Sequence, residues 1–344
     1  MSSRGTDTTA GAVDRTGTTA GEGAPAGRHR APRAPASTLE RRLAAAVVRR
    51  LPHPLRVDPR LRAALAHRYV DAGRGPVVQT TMRAGHRLVL DLRSESQRDA
   101  YFTGRFDEPL VRAVRALALG PGSVDLDIGA NVGLWTVPLA VRAAGRGRSV
   151  VAFEPVPANV ARLRANVALN GLDEVVTIHP FALSDRPGVA RISLREDFRA
   201  GATSGNAALV IDDGLDARYR TIEVRLRCLD DVASSFPGPV AIVKIDVEGH
   251  EDHVLRGGRR MIAADRPVIV AEWNPAYHRR RGTDPTERLH TAMAGLGYRS
   301  VRREGGGWIA GDRFHSPRDI DNLVMCPHER TREVLGALSR SHRA

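Results

Sequence analysis

Two stretches of this 344-residue chain hold side chains whose types and spacing could do chemistry. The first is Val124-Asp125-Leu126-Asp127-Ile128-Gly129-Ala130-Asn131-Val132-Gly133, an apolar run carrying acids that ends in a glycine-bearing turn before a helical pattern. Glycine lets the backbone turn sharply after a strand and approach a ligand closely, and the helix start beyond it presents unpaired N–H groups. A dinucleotide site would show G-x-G-x-x-G, so that phosphates rest on those groups. Here Asn131 stands between Gly129 and Gly133, and Asp127 directly precedes the turn. An acid there suits an ammonium-bearing ligand better than a pyrophosphate. Glu154 follows roughly twenty residues on, at a strand end, where a carboxylate can accept both ribose hydroxyls of an adenosine. Together Asp127, Gly129, Asn131, Gly133 and Glu154 favour S-adenosylmethionine over a nicotinamide dinucleotide. Asp185, after the third strand, could accept from an adenine amino group, although Ser184-Asp185 is equally explained as turn chemistry.

The second stretch is Lys244-Ile245-Asp246-Val247-Glu248-Gly249-His250-Glu251, which gathers ionisable groups where open parallel sheets bind ligands. Strand alternation aims Lys244 and Asp246 the same way, with Glu248 following if the extended backbone continues. Methyl transfer from S-adenosylmethionine needs alignment of the partners, and were the acceptor an alcohol it would also need a general base within hydrogen-bond reach. Asp246 is expected near the transferred methyl or the acceptor hydroxyl, with His250 as general base and Glu248 as a further catalytic carboxylate. Lys244 would orient Asp246 or, once desolvated, act as a base. Glu251 reads as an early helix-turn acid favoured by the dipole, and Glu272 as either a pocket group or a solvated strand-end acid. Asp246, Glu248 and Glu272 could hold a hard divalent cation through oxygen ligands, but their spacing does not require one, and no metal is expected.

The elements that must position these residues read as follows. Short apolar strands at 124–128, 149–153, 175–179, 241–245 and 268–271 alternate with helices at 110–119, 134–143 and 158–169. Strands apolar throughout and separated by helices indicate an α/β fold, a parallel sheet covered on both faces. A helix opening at Asp284-Pro285, with Glu287 completing a capping box, precedes two final strands at 298–303 and 322–325. Upstream, 77–82 and 87–92 form a hairpin around Gly85. Before them, Ser37 and Glu40 cap a helix carrying Leu39, Leu43 and Val47, and 61–69 forms another. Residues 1–36, rich in Ser, Thr, Gly, Ala and Pro, read as a disordered tail without the apolar core of a secretory signal. The domains are therefore 1–36 tail, 37–108 accessory helices and hairpin, 109–328 catalytic domain, and 329–344 a C-terminal tail with helical character. The polar insert 194–219 is expected to be a long loop lying over the acceptor site.

The chain resembles the FkbM-type methyltransferases. The matching residues are Asp127–Gly133, Phe153-Glu154-Pro155 with Pro157 and Asn159, and Asn166 with Leu169-Asn170. To these are added Gly104–Glu108, Leu229-Asp230-Asp231, Val243–Glu251 and Val254-Leu255-Arg256-Gly257-Gly258, so the likeness runs over about 90–327. It implies the class I, Rossmann-like methyltransferase sheet of seven strands with one antiparallel strand near the C-terminus. It also implies methylation of hydroxyl oxygens on natural products and sugars, although substrate class transfers least well.

The charge balance, Lys+Arg 52 against Asp+Glu 39, invites a nucleic-acid methyltransferase. Lys244 is the only lysine, so the excess is arginine spread by composition. Aromatics at 4% leave little for a base-stacking groove, and no base-flipping motif is present. An NAD-dependent oxidoreductase is opposed by Asn131, and a silent S-adenosylmethionine-binding scaffold stays open. Cys228 and Cys326 make no disulfide framework or zinc spacing. The expectation is a cytoplasmic enzyme with a small hydroxylated metabolite as partner, no nucleic acid and no membrane. Arg279-Arg280-Arg281 would clamp an acidic acceptor or form a solvated face.

Overall fold

The computed structural model describes residues 45–48, 50, 76–117, 119–210, 216–273, 286–304, 307–314 and 321–343. The expected tail at 1–36, the Ser37–Glu40 capping box, the helix at 61–69, the Arg279–Arg281 cluster and the Asp284-Pro285 helix start lie outside them. Within the described helical residues 45–48, Ala45 and Val48 are buried, whereas Val47, expected on the apolar face, is 59% exposed.

Strands β1 (Val77–Thr81) and β2 (Arg87–Asp91) form the antiparallel hairpin, with Gly85 at φ +92° in its turn. Helices α1 (Glu95–Thr103) and α2 (Glu108–Ala116) follow, the first of them not foreseen. Then come β3 (Val124–Ile128), α3 (Thr136–Ala143), β4 (Ser149–Phe153), α4 (Pro157–Leu169) and β5 (Val176–His179). Strands β6 (Ala182–Ser184), β7 (Gly188–Leu194), β8 (Ala207–Leu209) and β9 (Thr221–Cys228) lead to β10 (Val240–Ile245). The chain continues through α5 (Glu251–Gly257), α6 (Arg259–Asp265), β11 (Val268–Trp273), α7 (Thr286–Ala294), β12 (Tyr298–Glu304), β13 (Gly307–Gly311), β14 (Asp321–Pro327) and α8 (Thr331–Arg343).

The main sheet has the order β13-β12-β14-β11-β10-β3-β4-β5. From β11 to β5 every pairing is parallel, and β14 runs antiparallel between β11 and β12. This is the expected sheet with one strand added, β13, which extends the edge as an antiparallel hairpin with β12. Alternation splits the apolar residues between two layers. Leu126, Ile128, Val243 and Ile245 pack in one; Ile242, Val268 and Val270 pack in the other with the side chains of α3 and α4. The second layer's face of β3 carries Asp125 and Asp127 instead of apolar residues. Asp125 is buried and pairs with the equally buried Arg148, whose Nε donates to Ser123 Oγ at 2.8 Å.

The insert supplies Asp197, Gly205, Asn206, Ala207 and Leu209 to a cavity wall, and it carries one strand of a second sheet. β6-β9-β7-β8 make that sheet, with Ile192, Leu194, Leu209 and Val224 in a small core of their own. The C-terminal segment is a helix, α8, whose Val334 and Leu338 are buried in the same core cluster as Val111 and Val114 of α2. Each such aliphatic side chain contributes roughly 1.5–3 kcal/mol on burial.

Three asparagines along α4 hold neighbouring segments against the sheet. Asn166 Oδ1 accepts from the Val89 N–H at 2.7 Å while its Nδ2 donates to the Val132 carbonyl at 2.8 Å. Asn170 exchanges two hydrogen bonds with the Arg87 backbone, at 2.8 and 2.7 Å. Asn159 does the same with Gly205, at 3.0 and 2.9 Å. The amide side chain imitates a peptide unit, so α4 offers the hairpin and the insert the pairing that another strand would have given.

Candidate active site

At the C-terminal ends of β3, β4, β10 and β11 lies a cavity of about 540 Å³. Strand register builds its floor: Asp127 of β3 stands beside Lys244 of β10, which stands beside Val270 of β11. One residue past β10, the Asp246 N–H donates to the Ile128 carbonyl at 2.9 Å, so the two strand ends turn away together. Gly129 makes that turn at φ +83°, and a Cβ there would lie 1.8 Å from the Asp246 carbonyl oxygen. The tight approach is why a side chain is not tolerated.

Asn131, also left-handed at φ +48°, is held by Glu154. The Glu154 carboxylate accepts from the Asn131 N–H at 2.8 Å, the Val156 N–H at 2.9 Å and Asn159 Nδ2 at 3.3 Å. Burial pushes its pKa up to about 7 against these hydrogen bonds. Asp127 accepts from the Thr136 hydroxyl at 2.5 Å, and burial raises it to about 6. Gly133, at φ +91°, sits where a Cβ would press to 2.7 Å on Leu163 Cδ1. No hydrogen bond among the described residues reaches the buried Asn131 Oδ1.

Lys244 is fully buried, with Nζ donating to Asn322 Oδ1 at 3.3 Å and to the Ile245 carbonyl at 3.4 Å. The Asp246 carboxylate lies 3.8 Å away and the Trp135 ring centroid 5.6 Å away. Burial works against the ammonium, but Asp246, Glu272, Asp107 and Asp127 overcome it and raise the pKa. The raised pKa favours the ammonium form and so supports the orienting role over the basic one. Asp246 is raised by burial in spite of Lys244. Glu272 is pushed up to about 8, first by the charge of Asp246 and then by burial.

Glu248 follows at φ +54°, with Asn206 Nδ2 donating to its Oε1 at 3.0 Å. Burial, then the charges of Asp246 and Glu272, hold its carboxyl well above the usual range. The expected continuation of extended backbone fails here, because Glu248 and Gly249 are both left-handed. Glu251 is more than a helix-turn acid: it accepts from the Gly249 N–H at 2.8 Å and closes the loop, with burial raising it to about 7. His250 lines the cavity, yet its Nε2 is engaged with the Ser184 hydroxyl at 2.9 Å and its ring stacks on His253 at 4.1 Å.

Asp185, read as an adenine partner or as turn chemistry, is not among the cavity-lining residues. Its carboxylate is drawn off by His253 Nδ1 and Arg256, both at 3.1 Å. Asp107, Trp135 and Asn206 also line the cavity; Trp135 Nε1 donates to Asp107 Oδ2 at 3.1 Å. Asp107 falls in the Gly104–Glu108 stretch that carries the family resemblance and Asn206 in the insert expected over the acceptor site, but neither is assigned a role there, and nothing local in the sequence marks Trp135. Among the described residues no three His, Cys, Asp or Glu side chains form a group that could hold a metal ion, and no helix is long and apolar enough to cross a membrane.

The raised carboxylates set a pH dependence of stability for the ligand-free protein. A carboxyl whose folded pKa exceeds its unfolded value stabilises the fold below the unfolded value, and that stability is lost as pH rises through the folded one. For Glu154 the window runs from its ordinary 4.5 to about 7, at about 1.4 kcal/mol per unit. Glu154→Gln should therefore flatten the fall in melting temperature between pH 5 and 8 relative to the parent, as scanning calorimetry would show. Parallel curves for the two proteins would refute the assignment.

The FkbM methyltransferase domain model matches residues 127–300, just over half of the chain, and spans the whole cavity floor from Asp127 to Glu272. The chain belongs to the FkbM methyltransferases. This FkbM methyltransferase is 30% identical over 161 residues to the 31-O-demethyl-FK506 methyltransferase FkbM of Streptomyces tacrolimicus, covering 40% of this chain and 60% of that one. It is 33% identical over 169 residues to the AMB antimetabolite synthetase AmbE of Pseudomonas aeruginosa, covering 41% of this chain and 8% of that one. The chain thus spans less than two thirds of either relative. A solved FkbM methyltransferase of Methylobacillus flagellatus KT is 17% identical, with 70% of this chain and 56% of that one aligned at a TM-score of 0.38.

The cofactor of this methyltransferase is S-adenosylmethionine. The residues present fit it: a glycine cradle that a Cβ would fill, the unmet Asn131 Oδ1, and Asp127 and Glu154 as carboxylates for a cationic amino group and for ribose hydroxyls.

Proposed function

We propose that the FkbM methyltransferase domain, taken as 109–328 with 37–108 as an accessory region, methylates a hydroxyl oxygen of a small natural-product or sugar-containing metabolite. The observation that carries this reading is Glu248, a cavity carboxylate lifted well above its ordinary range at the end of β10, beside Asp246 and Glu272. A carboxylate so placed can take up an alcohol proton as the oxygen becomes nucleophilic. The relative named for 31-O-demethyl-FK506 supports oxygen as the target.

When bound, the cofactor supplies an electrophilic methyl on a sulfonium, a good leaving group, so the protein's work is alignment and removal of one proton. Asp127 and Glu154 hold the cofactor end of the cavity. Lys244 fixes Asp246 and keeps one positive charge among the acids. Glu248, steadied by Asn206, takes the hydroxyl proton as the oxygen bonds to the methyl carbon. His250 serves this arrangement through Ser184, which ties the loop before α5 to β6.

The test is transfer of an isotope-labelled methyl to a panel of hydroxylated metabolites, with the new bond identified by NMR. A methyl on oxygen is expected, and a methyl found only on nitrogen or carbon would overturn the reading. In the same preparation Asp127→Asn and Glu154→Gln should each weaken S-adenosylhomocysteine binding about ten- to a hundredfold, the value of a hydrogen bond to a charged group. Unchanged affinity in both would mean that the cofactor lies elsewhere.

A further inference from the structure

We propose that the acceptor methylated in this cavity also carries a protonated amine, bound at Asp107, Glu272 and Asp246 beside the Trp135 ring. The proposal rests on the O-methyltransferase reading and narrows its substrate to amino alcohols, amino sugars and their kind. Although arginine supplies every Lys/Arg position of the chain but Lys244, no arginine is among the described residues that line the cavity. Beyond the two cofactor-end acids, Asp127 and Glu154, the lining presents Glu95, Asp107, Asp197, Asp246, Glu248 and Glu272 beside the one lysine, Lys244. The cavity is thus rich in carboxyl groups in a chain whose formal net charge is +13.

The hydrogen-bonding inventory gives a separate reason. Among the described residues no hydrogen bond reaches the buried Asn206 Oδ1, whose amide nitrogen is already spent on Glu248. Lys244 has its donors directed to Asn322 and the Ile245 carbonyl. The acceptor half therefore offers acceptors, and a ligand there must bring donors. Lys244 itself shows what these groups tolerate: its Nζ sits near the Trp135 face with acids around it, a setting that suits an alkylammonium. A hard divalent ion would meet that ammonium beside its ligands, and the described residues hold no group of three His, Cys, Asp or Glu side chains placed to bind one. The elevation of Glu272 to about 8, chiefly by the charge of Asp246, agrees with a site short of positive charge. An arriving ammonium would lower these pKa values and release protons.

The experiment is calorimetry on the full chain saturated with S-adenosylhomocysteine. The probes are a panel of amino alcohols and amino sugars, each paired with its N-acetyl counterpart and titrated in two buffers of different ionisation enthalpy. The expected result is at least one pair in which the amine binds tenfold or more tighter, with proton release. In Glu272→Gln and Asp107→Asn, each close in shape to its parent, that preference should fall below threefold while S-adenosylhomocysteine affinity holds. No preference for any amine would overturn the proposal, as would magnesium chloride binding lost in the same two variants. Failure of S-adenosylhomocysteine to bind the parent would instead strike at the methyl-transfer reading beneath it.

Discussion

Glu248→Gln is expected to lower kcat by roughly a hundred- to ten-thousandfold, the usual worth of a general base, while leaving S-adenosylhomocysteine affinity within a few fold. The amide keeps the size of the side chain and can still accept from Asn206 Nδ2, so the loop should survive the substitution. What it cannot do is take a proton from an alcohol. The backbone supports the assignment independently. A non-glycine residue at φ +54° costs about 1–3 kcal/mol, and such strain persists where the surroundings over-determine it for function. The pH profile supplies a second readout. The base works ionised, so kcat/KM of the parent should rise with pH through a value far above the ordinary 4.5. Glu272→Gln removes a like charge and should move that limb to lower pH. Full activity in Glu248→Gln, together with its loss in His250→Ala, would return the base role to His250.

Gly129→Ala should be the most damaging small substitution in the cavity floor. The new methyl would stand 1.8 Å from the Asp246 carbonyl oxygen and 2.8 Å from its carbon, both backbone atoms. Neither can swing aside as a side chain would, because the Asp246 N–H is bound to the Ile128 carbonyl. The φ of +83° adds strain of its own for any residue with a Cβ. A stability loss on the order of 3 kcal/mol or more is expected in urea unfolding. Cofactor affinity should fall with it, since β3 and β10 would be forced apart under the ligand. A variant with parental stability and affinity would show that the two strand ends are not held together as described. Gly85, with open space around its Cβ position, makes a fitting control for the contribution of φ alone.

Much of the main sheet was legible because its strands are apolar throughout and its turns carry glycine where only glycine fits. Asp127, Gly129, Glu154 and the Lys244–Glu248 run announce themselves by residue type at strand ends. The second sheet was hidden by composition: Gly201 to Asn206 read as loop, yet Ile222, Val224 and Leu226 alternate with Glu223, Arg225 and Arg227 just downstream, the ordinary mark of a half-buried strand. Asp185 depends on contacts that its neighbours in the chain do not announce. Its fate is decided by His253 and Arg256, remote in sequence and brought near by α5. Asp107 and Trp135 enter the cavity through tertiary packing, which no local spacing encodes. His250 was visible as a candidate, but its engagement with Ser184 depends on where β6 comes to lie.

Lys244 is the chain's only lysine, buried and held as an ammonium. An amine-reactive reagent added to the folded enzyme therefore meets no other lysine side chain in this sequence. Any label on the Lys244 peptide counts moments when the cavity floor, where Lys244 lies buried, is open to a reagent. The labelling rate then measures the free energy of that opening, so the catalytic floor carries its own reporter of local unfolding, and a bound cofactor should silence it.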